Sequence, residues 1–393
     1  MKKHFWMIFA TVLVAMTSIA TFNPILGLLA RTLGFSEIQS GSLVTITGLF
    51  WIVGSFVWEK WSRTNRKRLI VIAILGYTLT LASFALLADW AKAAPGNATV
   101  LYWELFALRA VGGFFFGAIP TMAQGYLMEW TTAQNRASGM ALFGGASGMG
   151  FVLGPALGAA LTPIGFTSPM YVSTALLVVV AILSGIILPD SKGGQVKKAT
   201  VKLSMTDPRI RLYILIGLLL STVMIMLQVT CGIYMQDQLQ LSDQAAAQSI
   251  GVGLTIAGVI VVVVQLLVGR YLKWQPARLL KIGLSSLFVA FTLFMLAPAW
   301  YIVAFLFHGI GIGFTLPGYI TAASLAVSSE EQSAVASYTG AAQGVGSFVG
   351  PLAGTMLYAW QMSIPYLVCA LWLACVALLV FAKHRVSQPA SIS

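Results

Sequence analysis

Twelve apolar runs, each near or above the ~18 residues that cross a bilayer, occupy most of this 393-residue chain. They lie at about 5–29, 41–58, 69–88, 101–126, 138–161, 168–188, 212–235, 247–269, 279–297, 300–326, 336–357 and 365–382. Runs this long with almost no charge have one stable home. Inside hydrocarbon each backbone N–H and C=O must be satisfied within its own segment, which an α-helix achieves. The chain is therefore expected to be an all-α polytopic membrane protein whose principal partner is the lipid bilayer. Composition agrees: 9% of residues are charged, against roughly 25% in soluble domains. Lys2 and Lys3 ahead of the first run resemble a secretory leader. That run is too long for one and eleven more follow, so a retained helix is expected.

The net charge of +12 would point to nucleic acid in a soluble protein, so the placement of the charge decides its meaning. With the N-terminus inside, 20 of the 23 basic residues fall on the cytoplasmic side. They include Lys60, Arg63, Arg66, Lys67 and Arg68 after span 2, Arg136 after span 4, and Lys192, Lys197, Lys198 and Lys202 between spans 6 and 7. Arg270, Lys273, Arg278, Lys281, Lys383 and Arg385 follow on the same side, whereas Arg31 and Lys92 lie outside and Arg109 lies within span 4. This asymmetry follows the positive-inside rule and predicts both termini in the cytoplasm. The charge describes orientation, and no nucleic-acid partner is expected. Cys231, Cys369 and Cys375 sit in apolar runs without disulfide or ligand spacing, so no metal site is expected.

The longest hydrophilic stretch divides the spans six and six, predicting bundles over 1–189 and 212–393 joined by a cytoplasmic loop at 190–211. The halves repeat. Gly-Met-Gly-Phe-Val-Leu-Gly-Pro-Ala-Leu-Gly at 148–158 returns as Gly-Val-Gly-Ser-Phe-Val-Gly-Pro-Leu-Ala-Gly at 344–354. Gly113 and Gly117 match Gly309 and Gly313 at the same offset. Repeated halves are a mark of secondary transporters, with substrate held between them near the midplane. Gly150, Gly154 and Gly158, and again Gly346, Gly350 and Gly354, recur every fourth residue. Each set stripes one helical face and lets another backbone come close. Pro155 and Pro351 each remove one helical hydrogen bond and invite a bend.

On these motifs the chain resembles the major facilitator superfamily over essentially its whole length. The Gly154-Pro155 run is similar to that superfamily's antiporter motif, and Arg109 with Gly113 resembles its Arg-x-x-x-Gly motif. Pro24 to Ala30, followed by Leu33-Gly34-Phe35-Ser36, resembles the first-helix signature of twelve-helix drug:proton antiporters. The loop after span 2 is a degraded form of the motif that latches the halves in that family. Gly54, Arg66 and Lys67 remain, Trp58 replaces the acid, and Glu59 is the substitute candidate. The resemblance implies two pseudo-symmetric six-helix bundles working by alternating access, as a monomer driven by a proton gradient without a cofactor. It also implies a bacterial cytoplasmic (inner) membrane location.

Charge within a membrane is expensive and usually functional. Arg109 lies eight residues into span 4, roughly 12 Å deep at ~1.5 Å per residue. His308 lies eight residues into span 10, and the resemblance implies that both spans line a central cavity. Arg109 is a candidate for substrate binding and proton relay, and His308 is the one candidate that titrates near neutrality. Glu104, near the outer end of span 4, is the third proton-coupling candidate. Asn23, Gln124, Gln228 and Thr315 are neutral polar candidates for the substrate site, with Phe116 and Tyr319 as rings to stack on a planar ligand. No Asp or Glu stands in the middle of spans 1 or 7. Such a site has the wrong sign for a lipophilic cation and suits an anionic or zwitterionic substrate, such as a carboxylate- or hydroxamate-bearing metallophore.

An enzyme is disfavoured, because the chain has three histidines, no His-Glu-x-x-His and no Gly-x-Ser-x-Gly elbow. No catalytic residue is assigned. The absence of a Gly-x-x-x-x-Gly-Lys-Ser/Thr loop argues against direct use of ATP. The reading is a secondary transporter, with proton-coupled export of a small organic molecule favoured. A multidrug pump for lipophilic drugs and a proton-coupled importer of an organic anion remain as alternatives.

Overall fold

In the computed structural model the described residues are 2–61, 65–94, 96–130, 136–190, 203–272, 274–328 and 331–386. Of the basic residues placed by orientation, Arg63, Lys192, Lys197, Lys198, Lys202 and Lys273 lie outside them, and the side chains of Lys2, Arg136, Lys383 and Arg385 are likewise not described.

Each of the twelve apolar runs is an α-helix. The first six are α1 (Lys2–Thr32), α2 (Glu37–Trp61), α3 (Arg66–Ala93), α4 (Ala98–Trp130), α5 (Arg136–Leu161) and α6 (Ser168–Ile187). The rest are α7 (Arg211–Leu239), α8 (Asp243–Arg270), α9 (Pro276–Leu296), α10 (Tyr301–Leu325), α11 (Gln332–Trp360) and α12 (Ile364–Val386). Among the described residues, ten helices are long and apolar enough to cross a membrane. Most helices overrun the apolar runs by several residues, because intrahelical bonds do not stop at the hydrocarbon edge. Trp130 and Trp360 close two such extensions, and Trp90, Trp103 and Trp300 are exposed near helix ends, where indoles favour the interface. Local chemistry sets several boundaries. The Asn65 side chain accepts from the Lys67 N–H to cap α3, Pro276 opens α9, and Gln240 adopts a left-handed conformation with φ 52° to end α7.

By backbone proximity the chain divides into two compact units, Met1–Ala199 with Ser242–Gly251, and Thr200–Leu241 with Val252–Ser393. Within the first, α1 packs on α5 and α6, and α4 packs on α2 and α3, with α3 also meeting α6. Within the second, α7 packs on α11 and α12, and α9 packs on α10 and α12. Four of the five contacts of the first unit recur in the second with six added to each helix number.

The glycine stripes explain the tightest of these contacts. A Cβ at Gly154 would lie 2.6 Å from the Thr17 carbonyl oxygen, and one at Gly158 would lie 2.5 Å from that of Thr21. Those distances are shorter than side-chain carbons tolerate, so α5 can approach α1 this closely only with glycine there. In the second unit, a Cβ at Gly346 would meet the Leu218 carbonyl at 2.5 Å, and one at Gly350 would meet that of Thr222 at 2.9 Å. Ser221 reinforces the same seam by donating to the Gln343 carbonyl at 2.7 Å.

Candidate functional site

The Arg-x-x-x-Gly motif builds the site from its glycine end. Gly113 sits against the Thr47 carbonyl with no room for a Cβ, so α4 lies directly on α2. That approach brings Thr47 Oγ1 within 3.3 Å of the Arg109 carbonyl, to which it donates. It also brings the Leu43 carbonyl within reach of Arg109, whose Nε donates to it at 3.1 Å. Span 1 supplies the last wall, with the guanidinium carbon 4.1 Å from the Phe22 ring centroid. Arg109 is only 5% exposed. A charge at such a site needs fixed dipoles and a π face in place of water.

The cavity beside Arg109 is lined from four helices by Phe22, Thr47, Tyr77, Thr80, Leu81, Phe84, Leu108 and Gly112. No carboxylate belongs to that lining. Tyr77 on α3 is buried, and its hydroxyl has no hydrogen-bond partner among the described residues. Its position in an otherwise apolar run hid it from sequence reasoning. The one available signal was the presence of a buried arginine requiring polar company nearby.

Phe116, expected to offer a face to a ligand, packs between two other rings. Its ring is fully buried, edge-on to Trp51 at 4.7 Å and to Tyr77 at 5.2 Å. The cause lies one turn earlier, where Gly112 and Gly113 admit α3 and α2 and so bring both aromatic neighbours onto Phe116. Asn23 is buried on α1, Gln124 is half-buried on α4, and Glu104 is exposed.

In the second unit, His308 is buried on α10, edge-on to Phe291 at 6.0 Å and Phe305 at 6.4 Å. Its Nδ1 has no partner among the described residues. Thr315, one face along, is fully buried against Gly283, and Tyr319 is fully buried with its hydroxyl bonded by the Gln343 amide. Gln228 is buried on α7. Gln343 escaped sequence reasoning because α11 was read for its glycines alone.

The basic end of the loop after α2 meets a further acid. Arg66, 5% exposed, meets Glu129 at the end of α4, Nε to Oε1 2.8 Å, while Glu59 is exposed. Helix α4 runs on to Trp130, past the apolar run that ended near 126, and this extension delivers Glu129 to Arg66. Trp58, at the position where the motif carries an acid, is buried and donates its indole N–H to the Phe114 carbonyl at 3.1 Å. Gly54 sits one turn earlier against that same carbonyl. Lys67 lies 3.7 Å from Asp190, and the Asn65 amide donates to the same carboxylate at 2.7 Å. Those partners hold the Asp190 carboxyl below the usual carboxylate range, the Asn65 bond contributing most.

Among known proteins, residues 8–351 match the family described as the Major Facilitator Superfamily. The chain is 21% identical to the Quinolone resistance protein NorA of Staphylococcus aureus (strain MSSA476), over 98% of each chain. It is 23% identical to Multidrug resistance protein 2 of Bacillus subtilis (strain 168), over 48% of this chain and 45% of that one. Its fold is similar to the crystal structure of a bacterial homolog of the human lysosomal transporter Spinster, inward-facing and unoccupied. The TM-score is 0.72 at 13% identity, covering 98% of this chain and 97% of the other.

Proposed function

This chain belongs to the major facilitator superfamily, and from that premise we propose that it exports a small anionic or zwitterionic organic molecule in exchange for protons. It is a membrane-embedded transporter of small molecules and not an enzyme. The observation that carries the proposed sign of the substrate is the cavity at Arg109. A permanent cation stands there, and the lining contains no carboxylate to neutralise it. A lipophilic cation entering that cavity would meet uncompensated positive charge, whereas a carboxylate or hydroxamate would supply what is missing.

Outward direction is supported by the two relatives named for drug resistance and by the Gly154-Pro155 run that resembles the antiporter motif. In the proposed cycle two six-helix halves, 1–189 and 212–393, rock about the site, with the 190–211 loop between them and both termini in the cytoplasm. The stripes Gly150, Gly154 and Gly158, and Gly346, Gly350 and Gly354, are the seams along which α5 moves with α1 and α11 with α7. Arg109 engages the substrate, and protonation at His308 or Glu104 biases the exchange. The transporter works as a monomer in a bacterial inner membrane and uses no cofactor.

A second reading, a multidrug pump for lipophilic compounds, is favoured by the same relatives' names. Inside-out vesicles separate the two. With the lumen acidified, uptake of radiolabelled citrate, a polycarboxylate probe, is expected to collapse when a protonophore is added. Uptake of ethidium under that gradient, with citrate ignored, overturns the anion reading in favour of the second.

A further inference from the structure

We infer that the turn from α8 to α9, with the end of α12 beside it, binds the head group of an anionic phospholipid, with Arg278 and Lys281 as its principal contacts. The site lies within the second unit and depends on neither the sign of the transported substrate nor its direction.

The inference starts from charge without counter-charge. Arg270, Lys273, Arg278 and Lys281 fall within twelve residues, and no Asp or Glu stands anywhere between Asp243 and Glu330. Among the described residues, Arg270, Arg278 and Lys281 have no carboxylate within ion-pair distance, and each lies against an aromatic ring instead. Other basic residues at helix ends are answered from within the chain. Arg66 meets Glu129, Lys67 meets Asp190, and Arg209 meets Asp207 and Glu331. A bias of orientation needs only a count of cations. Like charges left this close together repel unless an anion from outside joins them.

The rings place the charges. Trp274 stacks on Phe314, 5.8 Å between centroids and 19° between planes, and the Arg278 guanidinium carbon lies 4.4 Å from the Trp274 centroid. Stacking uses the face of a guanidinium and leaves its in-plane N–H groups as a fork for phosphate oxygens. Lys281, three residues on, is its neighbour along the same side of α9. The Lys281 ammonium lies 5.1 Å from the Phe381 ring of α12. Arg278 is exposed and Lys281 half-buried, so both can be reached.

The surface beside these cations distinguishes a lipid from a free anion. Phe381 is 39% exposed, and Leu378 and Leu379 continue the exposed apolar surface along α12. On a membrane-embedded helix such side chains meet acyl chains. A phosphodiester seated on Arg278 and Lys281 therefore has apolar surface ready for its tails. Tyr271 and Trp274 then sit at head-group depth, where amphipathic rings are favoured.

The test is native mass spectrometry of the full-length protein in detergent, titrated with phosphatidylglycerol. Phosphatidylcholine with the same tails is the zwitterionic control, and inorganic phosphate is the free-ion control. The wild type is expected to retain phosphatidylglycerol in preference to phosphatidylcholine, and millimolar inorganic phosphate is expected not to displace it. Arg278→Gln is expected to raise the phosphatidylglycerol Kd about tenfold, the loss of hydrogen bonds to a charged group. Lys281→Gln should raise it about fivefold, the worth of one cation at an anionic lipid surface. Arg278→Lys, which keeps the charge without the fork, should fall between wild type and Arg278→Gln. Arg211→Gln, which removes an equal charge from the start of α7, is expected to leave the Kd unchanged. Equal binding of the two lipids, or equal weakening by Arg211→Gln and Arg278→Gln, would overturn the site in favour of general attraction to positive charge. Displacement by inorganic phosphate would overturn it in favour of a free-anion site.

Discussion

The guanidinium of Arg109 lies over the ring of Phe22, 4.1 Å from carbon to centroid, while its Nε is held by the Leu43 carbonyl. The two contacts come from α1 and α2, so the arginine is held from both sides where it lines the cavity. Planarity matters in this arrangement. A lysine keeps the charge but neither spans both contacts nor presents a fork. Arg109→Lys is therefore expected to lower the kcat/KM for an anionic substrate by about 10- to 100-fold, the worth of one or two charge-assisted hydrogen bonds. Initial-rate transport in vesicles measures it, and rates within twofold of wild type would show that charge alone suffices.

The glycine stripe of α5 makes a prediction about packing. Gly154→Val places a branched side chain against the Thr17 carbonyl and the Ala20 methyl, each 2.6 Å from the first added carbon. A loss of about 1–3 kcal/mol is expected, read as a lowered melting temperature in detergent. Gly144, on the same helix, has nothing within 4 Å of an added Cβ. Gly144→Ala should raise stability by about 0.5–1 kcal/mol through helix propensity. The same sign of change in both variants would count against close packing as the reason for the stripe.

Arg66 and Glu129 form a mostly buried pair, so removing one partner strands the other. Glu129→Gln keeps the shape and loses the charge, with an expected cost of about 1–3 kcal/mol in thermal unfolding. Glu59→Gln is expected to cost less than about 0.5 kcal/mol, as exposed substitutions usually do. The reverse order would give Glu59 the larger part in holding this loop.

The second unit carries an acid-sensitive contact at the start of α7. Arg209 donates to Asp207 at 2.9 Å and to Glu331 at 2.9 Å. These bonds hold both carboxyls below the usual carboxylate range. A carboxyl lowered in the folded state adds stability above its unfolded value near ~4, and that contribution disappears as pH falls through the folded value. Melting temperature should therefore fall for wild type between about pH 5 and pH 3, and fall less steeply for Arg209→Ala. Parallel curves for the two proteins would assign the acid loss elsewhere.

Much of the fold was legible because hydrocarbon leaves a chain few options. The runs named the helices, and the repeated Gly-Pro segments named the seams. Three features escaped for distinct physical reasons. Glu129 was not singled out, because apolar runs understate helix length and the overrun of α4 carries it to Arg66. The packing of Phe116 was not legible because helical spacing gives a direction without saying which neighbours, here Trp51 and Tyr77, meet the ring. Tyr77 was not singled out, because a tyrosine in an apolar run is ordinary until a cavity and an unpartnered hydroxyl mark it.

The central claim is that Arg109 selects substrate by sign, and a charge-matched series tests it most directly. Proteoliposomes with an imposed pH gradient are given one organic scaffold as carboxylate, amide and ammonium, with wild type and Arg109→Gln compared side by side. The account predicts fast, gradient-dependent movement of the carboxylate by wild type, little of the other two, and loss of that preference in Arg109→Gln. Preferential movement of the ammonium form, unchanged by Arg109→Gln, would contradict it.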